Sequence, residues 1–304
     1  MSAITVGLDG SPESLAAADW AAREALQRDV PLSLVHAGDS LRPLYAPFTG
    51  FPTFDVTEVQ RAWAADLLRE TQSRLAASHP GLRITGRQVE EQVVPALLSA
   101  AAESELLVLG SRRLGSVAGF LVGSVALALV ARAERPVVLV RAGAHAEDEH
   151  LPDAGDAGSV TTPYRDIVLG LDAEDPCDAV IEFAFETARR RAAGLRVVHG
   201  WNEPAANGYD DALDLGPAIE AAGEPRQGLD DVLRPWRDKY PGVEVRAQTA
   251  IGGADRHLVH ASRDAALVVV GRKRRHAPLG GHIGPVTHAV LQHACAPVAV
   301  VPHD

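Results

Sequence analysis

The chain has 304 residues, about the length of two ordinary domains, and its 46% apolar and 23% charged residues are typical of a globular protein. Its 29 basic and 40 acidic residues give a net charge of −11, which disfavours general binding to nucleic acid. No stretch approaches the ~18 apolar residues of a membrane span, and the two cysteines, Cys177 and Cys295, lack a metal-ligand spacing. We therefore expect a cytoplasmic protein that binds neither nucleic acid nor membranes.

In the first half, short apolar runs alternate with helical patterns. The predicted strands are residues 4–8, 32–36, 82–89, 106–109 and 137–140, and the predicted helices are residues 12–28, 56–78, 95–102 and 124–133. Strands that are almost continuous runs of Val and Leu, separated by helices, indicate a parallel sheet covered on both faces. With right-handed crossovers, this order predicts a doubly wound α/β domain.

The second half repeats the first. The run Ile4-Thr5-Val6-Gly7-Leu8-Asp9 is echoed by Ile167-Val168-Leu169-Gly170-Leu171-Asp172, and Gly110 and Gly123 are thirteen residues apart, as are Gly271 and Gly284. A duplication of this length predicts two domains, residues 1–142 and 163–304, joined by a linker over residues 143–162 that is rich in Gly, Ala and acidic residues. The strands predicted for the second half are residues 167–171, 195–199, 244–250, 267–270 and 298–301.

Residues 38–55 and 202–228 follow the second strand of their respective halves and are predicted to be loops. Two roles are open for them. They either cover one edge of a ligand crevice or only pack on their own domain.

A candidate phosphate site follows the fourth strand. Ligands of doubly wound sheets bind beyond the carboxyl ends of the strands where the strand order reverses, which places Asp9 beside residues 110–123. Glycines in this segment let backbone N–H groups approach a ligand, and the helix that starts at Ser124 offers free N–H groups, a partial positive charge and a hydroxyl. Arg112 and Arg113 add cations, although the Walker pattern is absent. Asp9 has a structural alternative, in which it organises the turn and caps the next helix.

These features resemble the universal stress protein family. The segments that carry the resemblance are VGLDGS (6–11), AADWAAREA (17–25), VH (35–36), LGSR (109–112), GSV (123–125) and RPVVLV (135–140), with GPVTHAVL (284–291) and PVAVV (297–301) in the second half. The resemblance implies two Rossmann-like, five-stranded parallel sheets packed as an intramolecular pseudo-dimer, and a homodimer of such tandem chains.

The ATP-binding members of this family carry the pattern G-x2-G-x9-G-[ST], which Gly110, Gly123 and Ser124 fit, while Arg113 stands at the second glycine. By resemblance, Asp9 would hold the ribose and adenine end of the nucleotide, the backbone of Ala37 would face the adenine edge, and Gly123 with Ser124 would hold the outer phosphates. The predicted site of the first half comprises Gly7, Asp9, Ala37, Gly110, Ser111, Arg112, Arg113, Gly115, Ser116, Gly123, Ser124 and Val125.

The second half departs further from the pattern. Its predicted site comprises Gly170, Asp172, Gly271, Arg272, Arg274 and Gly284. Arg274 stands at the second glycine and Pro285 at the Ser/Thr, so that a hydroxyl and an N–H are lost as phosphate donors. The basic run at residues 272–275 either replaces these donors or is a solvated charge run, and both outcomes stay open.

The resemblance implies a regulatory role in the stress response, in which bound ATP, accompanied by Mg²⁺, controls conformation or the choice of protein partner. Two alternatives are a non-nucleotide interaction module, as in members without the glycine motif, and a slow ATPase. No base to activate water is recognisable near the predicted phosphates, so that no catalytic residue is predicted. No metal-binding residue is predicted either, and His36 and His199 are interpreted as core histidines.

Overall fold

The computed structural model describes residues 3–38, 56–111, 122–201, 216–274 and 282–304. Its described residues divide into two compact units, one up to Gly143 and the other from Ala144 onwards. Within these ranges, none of the helices combines the length and the apolar character that crossing a membrane requires.

The first unit is a five-stranded parallel sheet with helices between its strands. The strands are β1 (Ile4–Gly7), β2 (Leu32–Ala37), β3 (Ile84–Val89), β4 (Leu106–Ser111) and β5 (Val137–Arg141), and the helices are α1 (Pro12–Arg28), α2 (Val56–Ser78), α3 (Val93–Ala102) and α4 (Ser124–Arg132). The strand order is β3-β2-β1-β4-β5, and every neighbouring pair is parallel. Helix α1 contacts α2, and α3 contacts α4, as expected when right-handed crossovers put one pair on each face. The predicted doubly wound α/β architecture is confirmed.

The start of α1 is defined by its sequence and lies directly against the sheet. Ser11 caps the helix by accepting a hydrogen bond from the Ser14 N–H, and Pro12 suits the first helical position. The buried face of α1 is mostly alanine, which allows a close approach to the strands. A Cβ atom built on Gly110 would lie 2.5–2.7 Å from backbone atoms of Glu13 and Ser14. The first turn of α1 therefore abuts the end of β4, where the candidate site is expected.

The second unit has the same topology. Its strands are β6 (Asp166–Gly170), β7 (Leu195–Trp201), β8 (Val245–Ile251), β9 (Ala265–Lys273) and β10 (Val298–His303), and its helices are α5 (Asp178–Arg191), α6 (Gly216–Lys239), α7 (Ala254–Ala261) and α8 (Pro285–His293). Its strand order is β8-β7-β6-β9-β10, and all neighbouring pairs are again parallel. This order matches β3-β2-β1-β4-β5 of the first unit strand by strand. The duplication in the sequence is thus a duplication of the fold.

Helix α6 corrects one prediction. It begins at Gly216, so that the part of the predicted loop from residue 216 to residue 228 is helical. The glycines and prolines of this stretch indicated a loop, but the helix continues into a strongly packed end. There Leu229 and Leu233 are fully buried, and Tyr240, just past the end of α6, stacks on Phe185 of α5 with ring centroids 5.3 Å apart. Tertiary packing has overridden local propensity.

The segment predicted to be a linker is attached to the second unit by specific contacts. It contains a short 3-10 helix, Ala146–Glu149. The Arg191 guanidinium of α5 donates to the Glu149 carboxylate at 2.9 Å, and both side chains are buried. His150 stacks on Tyr164 with ring centroids 3.9 Å apart, and the Arg191 guanidinium lies 5.2 Å from the centre of the Tyr164 ring.

Candidate functional site

The carboxyl edge of the first sheet brings together the residues predicted from strands β1, β2 and β4. Gly7 of β1 is paired with Val35 of β2, and Val6 of β1 with Val108 of β4. Two residues further along each strand, Asp9 follows β1, Ala37 ends β2, and Gly110 lies near the end of β4. The strand order reverses between β1 and β4, so that this edge has the position of a ligand crevice.

Asp9 organises the turn that leads into α1. Its Oδ1 atom accepts hydrogen bonds from the Ser11 N–H at 3.0 Å and from the Ser11 hydroxyl at 2.5 Å. This is the structural role that the sequence left open for Asp9. The residue is also exposed, and a carboxylate has acceptor sites on two oxygens, so that the turn and a ligand are compatible.

The two described glycines of the family pattern have different surroundings. Gly110 is pressed against the backbone of α1, as is Gly7 against the Leu109 side chain, which a Cβ on Gly7 would approach to 2.9 Å. Gly123 is the residue before α4, and among the described residues a Cβ built on it would meet no atom within 4 Å. Among the described residues, none fills the space at this helix N-terminus beside the exposed Ser124, and the N–H groups of a first helical turn favour an anion.

Other predicted residues of the first half are distributed around this opening. Ser111 is buried at the end of β4, and Val125 is partly exposed in the first turn of α4. Arg112, Arg113, Gly115 and Ser116 lie outside the described residues.

Trp63 is a residue of this edge that the sequence analysis missed. It is 50% exposed on α2, and a Cβ built on Gly10 would lie 2.9 Å from the nearest atom of its ring. The ring also meets His36 edge-on, with centroids 5.5 Å apart, and His36 Nδ1 lies 2.8 Å from the Leu8 carbonyl oxygen. An aromatic residue in a helical pattern normally indicates a core position, so that nothing in the sequence marked Trp63.

In the second half, the corresponding edge contains a cavity of about 1000 Å³. The cavity is lined by five of the six residues predicted for this half, namely Gly170, Asp172, Gly271, Arg272 and Gly284. The structure adds three histidines and two carboxylates to the lining: His199, His282, His303, Glu174 and Asp175. His199 repeats the geometry of His36, because its Nδ1 lies 3.0 Å from the Leu171 carbonyl oxygen.

Two cations of the basic run are paired with carboxylates of this chain. Lys273 donates to Asp175 at 2.8 Å, and this hydrogen bond lowers the pKa of the Asp175 carboxyl below its ordinary value. Arg274, the sixth predicted residue, donates to Asp304 at 2.8 Å. Arg272 is buried, and burial, with repulsion from Arg274, lowers its pKa. Arg275 lies outside the described residues.

The N-terminus of α8 has the same backbone as that of α4 but different chemistry. Gly284 has φ −62° and ψ 156°, and Gly123 has φ −57° and ψ 150°. A Cβ on Gly284 would likewise meet no atom of the described part of the chain within 4 Å. Pro285 begins α8 without an N–H, and the hydroxyl of Thr287 is turned to the Gly271 carbonyl oxygen at 2.8 Å.

Comparison with known proteins gives one consistent result for both halves. The sequence model of the Universal stress protein family matches residues 1–141 and 163–302. A universal stress protein of Mycobacterium tuberculosis is 31% identical over 98% of this chain and 96% of its own length. The crystal structure of a universal stress protein from Archaeoglobus fulgidus superposes with a TM-score of 0.67 at 14% identity, covering 99% of this chain and 98% of that chain. A universal stress protein solved in complex with cAMP is 30% identical over 47% of this chain and 98% of that chain, with a TM-score of 0.35.

Proposed function

Both halves of this chain belong to the universal stress protein family, and on that basis we propose that it is a regulatory protein whose first half binds ATP together with Mg²⁺. The observation that carries the proposal is the open N-terminus of α4. No described residue fills the space beside Gly123, and Ser124 is exposed beside the first N–H groups of the helix. Phosphate oxygens are bound well by such groups because each N–H donates to a charged acceptor.

The rest of the edge suits the other end of the nucleotide. Asp9 is exposed beyond β1, where its carboxylate can accept hydrogen bonds from ribose hydroxyl groups. Ala37 ends β2 next to it in the sheet and offers its backbone to the adenine edge. The nucleotide would therefore lie across the carboxyl edge, with its phosphates at α4.

A regulatory role is supported by the link between Asp9 and α1. The carboxylate that would contact the ribose also fixes Ser11, and Ser11 caps α1. The first turn of α1 abuts Gly110 at the end of β4. Ligand binding at this site would thus change the position of α1, and a shift of α1 would change the surface that is available to a protein partner.

Calorimetric titration with Mg-ATP tests the proposal. We expect Gly123→Val to remove ATP binding, because the valine side chain would occupy the space that the phosphates need. Asp9→Asn should weaken ATP binding while keeping the Oδ1 acceptor for Ser11, and therefore the cap of α1. Gly242→Val is the matched control, because a Cβ on Gly242 would also meet no described atom within 4 Å. Gly242 precedes the amino end of β8 in the second unit and is therefore not part of the candidate site.

Circular dichroism should be the same for the three variants and the parent protein. ATP binding that survives both Gly123→Val and Asp9→Asn would contradict the site, and a parent protein that binds no ATP would contradict the function.

A further inference from the structure

We propose that the cavity of the second half takes an adenine nucleoside without a phosphate tail, in contrast to the first half, which takes ATP. This inference rests on the proposed function of the first half. It concerns the selectivity of the second site, which follows from comparing the two ends of the crevice in each half.

The nucleoside end of the crevice is copied in the second half. Asp172 is exposed beyond β6, as Asp9 is beyond β1, and its Oδ1 atom accepts from the Glu174 N–H at 3.1 Å, as Asp9 accepts from Ser11. The His199 ring is hydrogen-bonded to the carbonyl group of Leu171, as the His36 ring is to that of Leu8. Gly200 follows His199 as Ala37 follows His36, and it lies in the same lining, so that the groups proposed to contact a ribose and a base in the first half have counterparts in the second.

The phosphate end is not copied. The backbone before α8 follows that before α4 to within a few degrees, yet the first residue of the helix is Pro285 instead of a serine. Proline has no N–H and no hydroxyl, and the nearby Thr287 hydroxyl is committed to the Gly271 carbonyl group. A polyphosphate would thus find fewer donors at α8 than at α4.

Three carboxylates of the described lining also oppose a polyphosphate. Asp172, Glu174 and Asp175 place three carboxylates on the turn between β6 and α5. The first half has only Asp9 in the corresponding turn, since Gly10 and Ser11 follow it. Of the nearby basic residues, Arg272 is buried in the lining, Lys273 is held by Asp175, and Arg274 is held by Asp304. An uncharged nucleoside does not require these cations, and its hydroxyl groups are donors for the carboxylates.

A reciprocal exchange of the two helix-start residues tests the proposal in the full chain. Each half already shows that the other's residue fits the same backbone, so that Ser124→Pro and Pro285→Ser are expected to fold. Titrations with Mg-ATP and with adenosine are compared. The parent protein should bind one ATP per chain, and Pro285→Ser should raise this number to two. Ser124→Pro should weaken ATP binding by roughly 10- to 100-fold, which corresponds to lost hydrogen bonds to a charged group.

Two further variants complete the test. Asp172→Asn should lower the number of adenosine sites by one, whereas Asp178→Asn, an exposed carboxylate at the start of α5 outside the cavity lining, should not. Pro285→Ser with Asp175→Asn, which also releases Lys273, should bind the second ATP more tightly than Pro285→Ser alone.

The outcomes separate this inference from the proposed function. Two ATP per parent chain, no adenosine site sensitive to Asp172→Asn, or no gain of ATP in the double variant would each overturn the inference. A parent chain that binds adenosine in the second half but no ATP would overturn only the proposed function of the first half.

Discussion

Gly110 and Gly123 both fit the family pattern, but the space around each suggests a different use. A Cβ on Gly110 would lie 2.5–2.7 Å from backbone atoms of α1, whereas a Cβ on Gly123 would meet no described atom within 4 Å. A side chain at Gly110 would have to push α1 away from β4, because backbone atoms cannot rotate aside as a side chain can. Gly110 thus serves the packing of the fold, and Gly123 is free to serve a ligand.

We expect Gly110→Ala to lower the free energy of unfolding of the first half by about 1–3 kcal/mol. Gly123→Ala should change it by less than about 1 kcal/mol, since only the preference for a helix cap is affected. Urea denaturation followed by circular dichroism measures both values. Gly271, the counterpart of Gly110, offers an internal comparison.

A Cβ on Gly271 would meet the Nε2 atom of His303 at 2.9 Å, and this side chain can turn away. Gly271→Ala should therefore cost less than Gly110→Ala. Equal costs for Gly110→Ala and Gly123→Ala would show that the approach of α1 does not determine the residue at position 110.

At the scale of elements, helix α5 is stabilised by contacts with the segment that precedes β6. The apolar pattern of α5 does not predict these contacts. The buried ion pair between Arg191 and Glu149 joins residues 42 positions apart, and Tyr164 lies under the guanidinium. Removing one member of a buried pair leaves the other charge without compensation, which is costly in a region of low dielectric constant.

We expect Glu149→Ala to lower the free energy of unfolding of the second half by about 3–5 kcal/mol. Glu147→Ala, an exposed carboxylate of the same 3-10 helix, is the control and should remain within about 0.5 kcal/mol of the parent. Thermal denaturation of both variants distinguishes them. A loss as small for Glu149→Ala as for the control would mean that the segment from Ala144 does not stabilise the second half through this pair.

The elements differ in how far the sequence predicts them, and the reason is the range of the contacts that define them. Helices α1 and α2 could be predicted with their observed bounds because a local cap and a regular apolar pattern define them. The start of α6 could not, because glycine and proline in its first half locally favour a loop, whereas the buried Leu229 and the stacking of Trp236 on Phe185 lie in its second half. In the candidate site, five residues predicted for the second half line one cavity, because four of them lie near the ends of β6 and β9 and Gly284 precedes α8 at the same edge. Arg274 could not be assigned to Asp304 from the sequence, since that pairing requires β9 and β10 to extend past their apolar cores.

At the scale of the whole molecule, the duplication has kept one topology and changed one end of the crevice. The same strand order, the same histidine contact and the same helix-start backbone recur in both halves. The two differences that bear on the ligand are the first residue of the helix after the fourth strand of each half, Ser124 or Pro285, and the number of carboxylates after the first strand of each half. Two sites of different selectivity in one chain would let the protein respond to the ratio of phosphorylated to unphosphorylated adenine compounds.

Hydrogen exchange in the presence of each ligand measures this difference within a single molecule. A ligand at 100 times its dissociation constant stabilises the state that it binds by about 2.7 kcal/mol, which slows local opening at the bound site by roughly 100-fold. We expect Mg-ATP to protect the first turn of α4 and to leave that of α8 unchanged, at times too short for global unfolding. Adenosine should protect the turn between β6 and α5, and Pro285→Ser should extend the protection by ATP to α8. Equal protection of α4 and α8 by ATP in the parent protein would mean that the proline and the carboxylates do not determine which ligand the second half accepts.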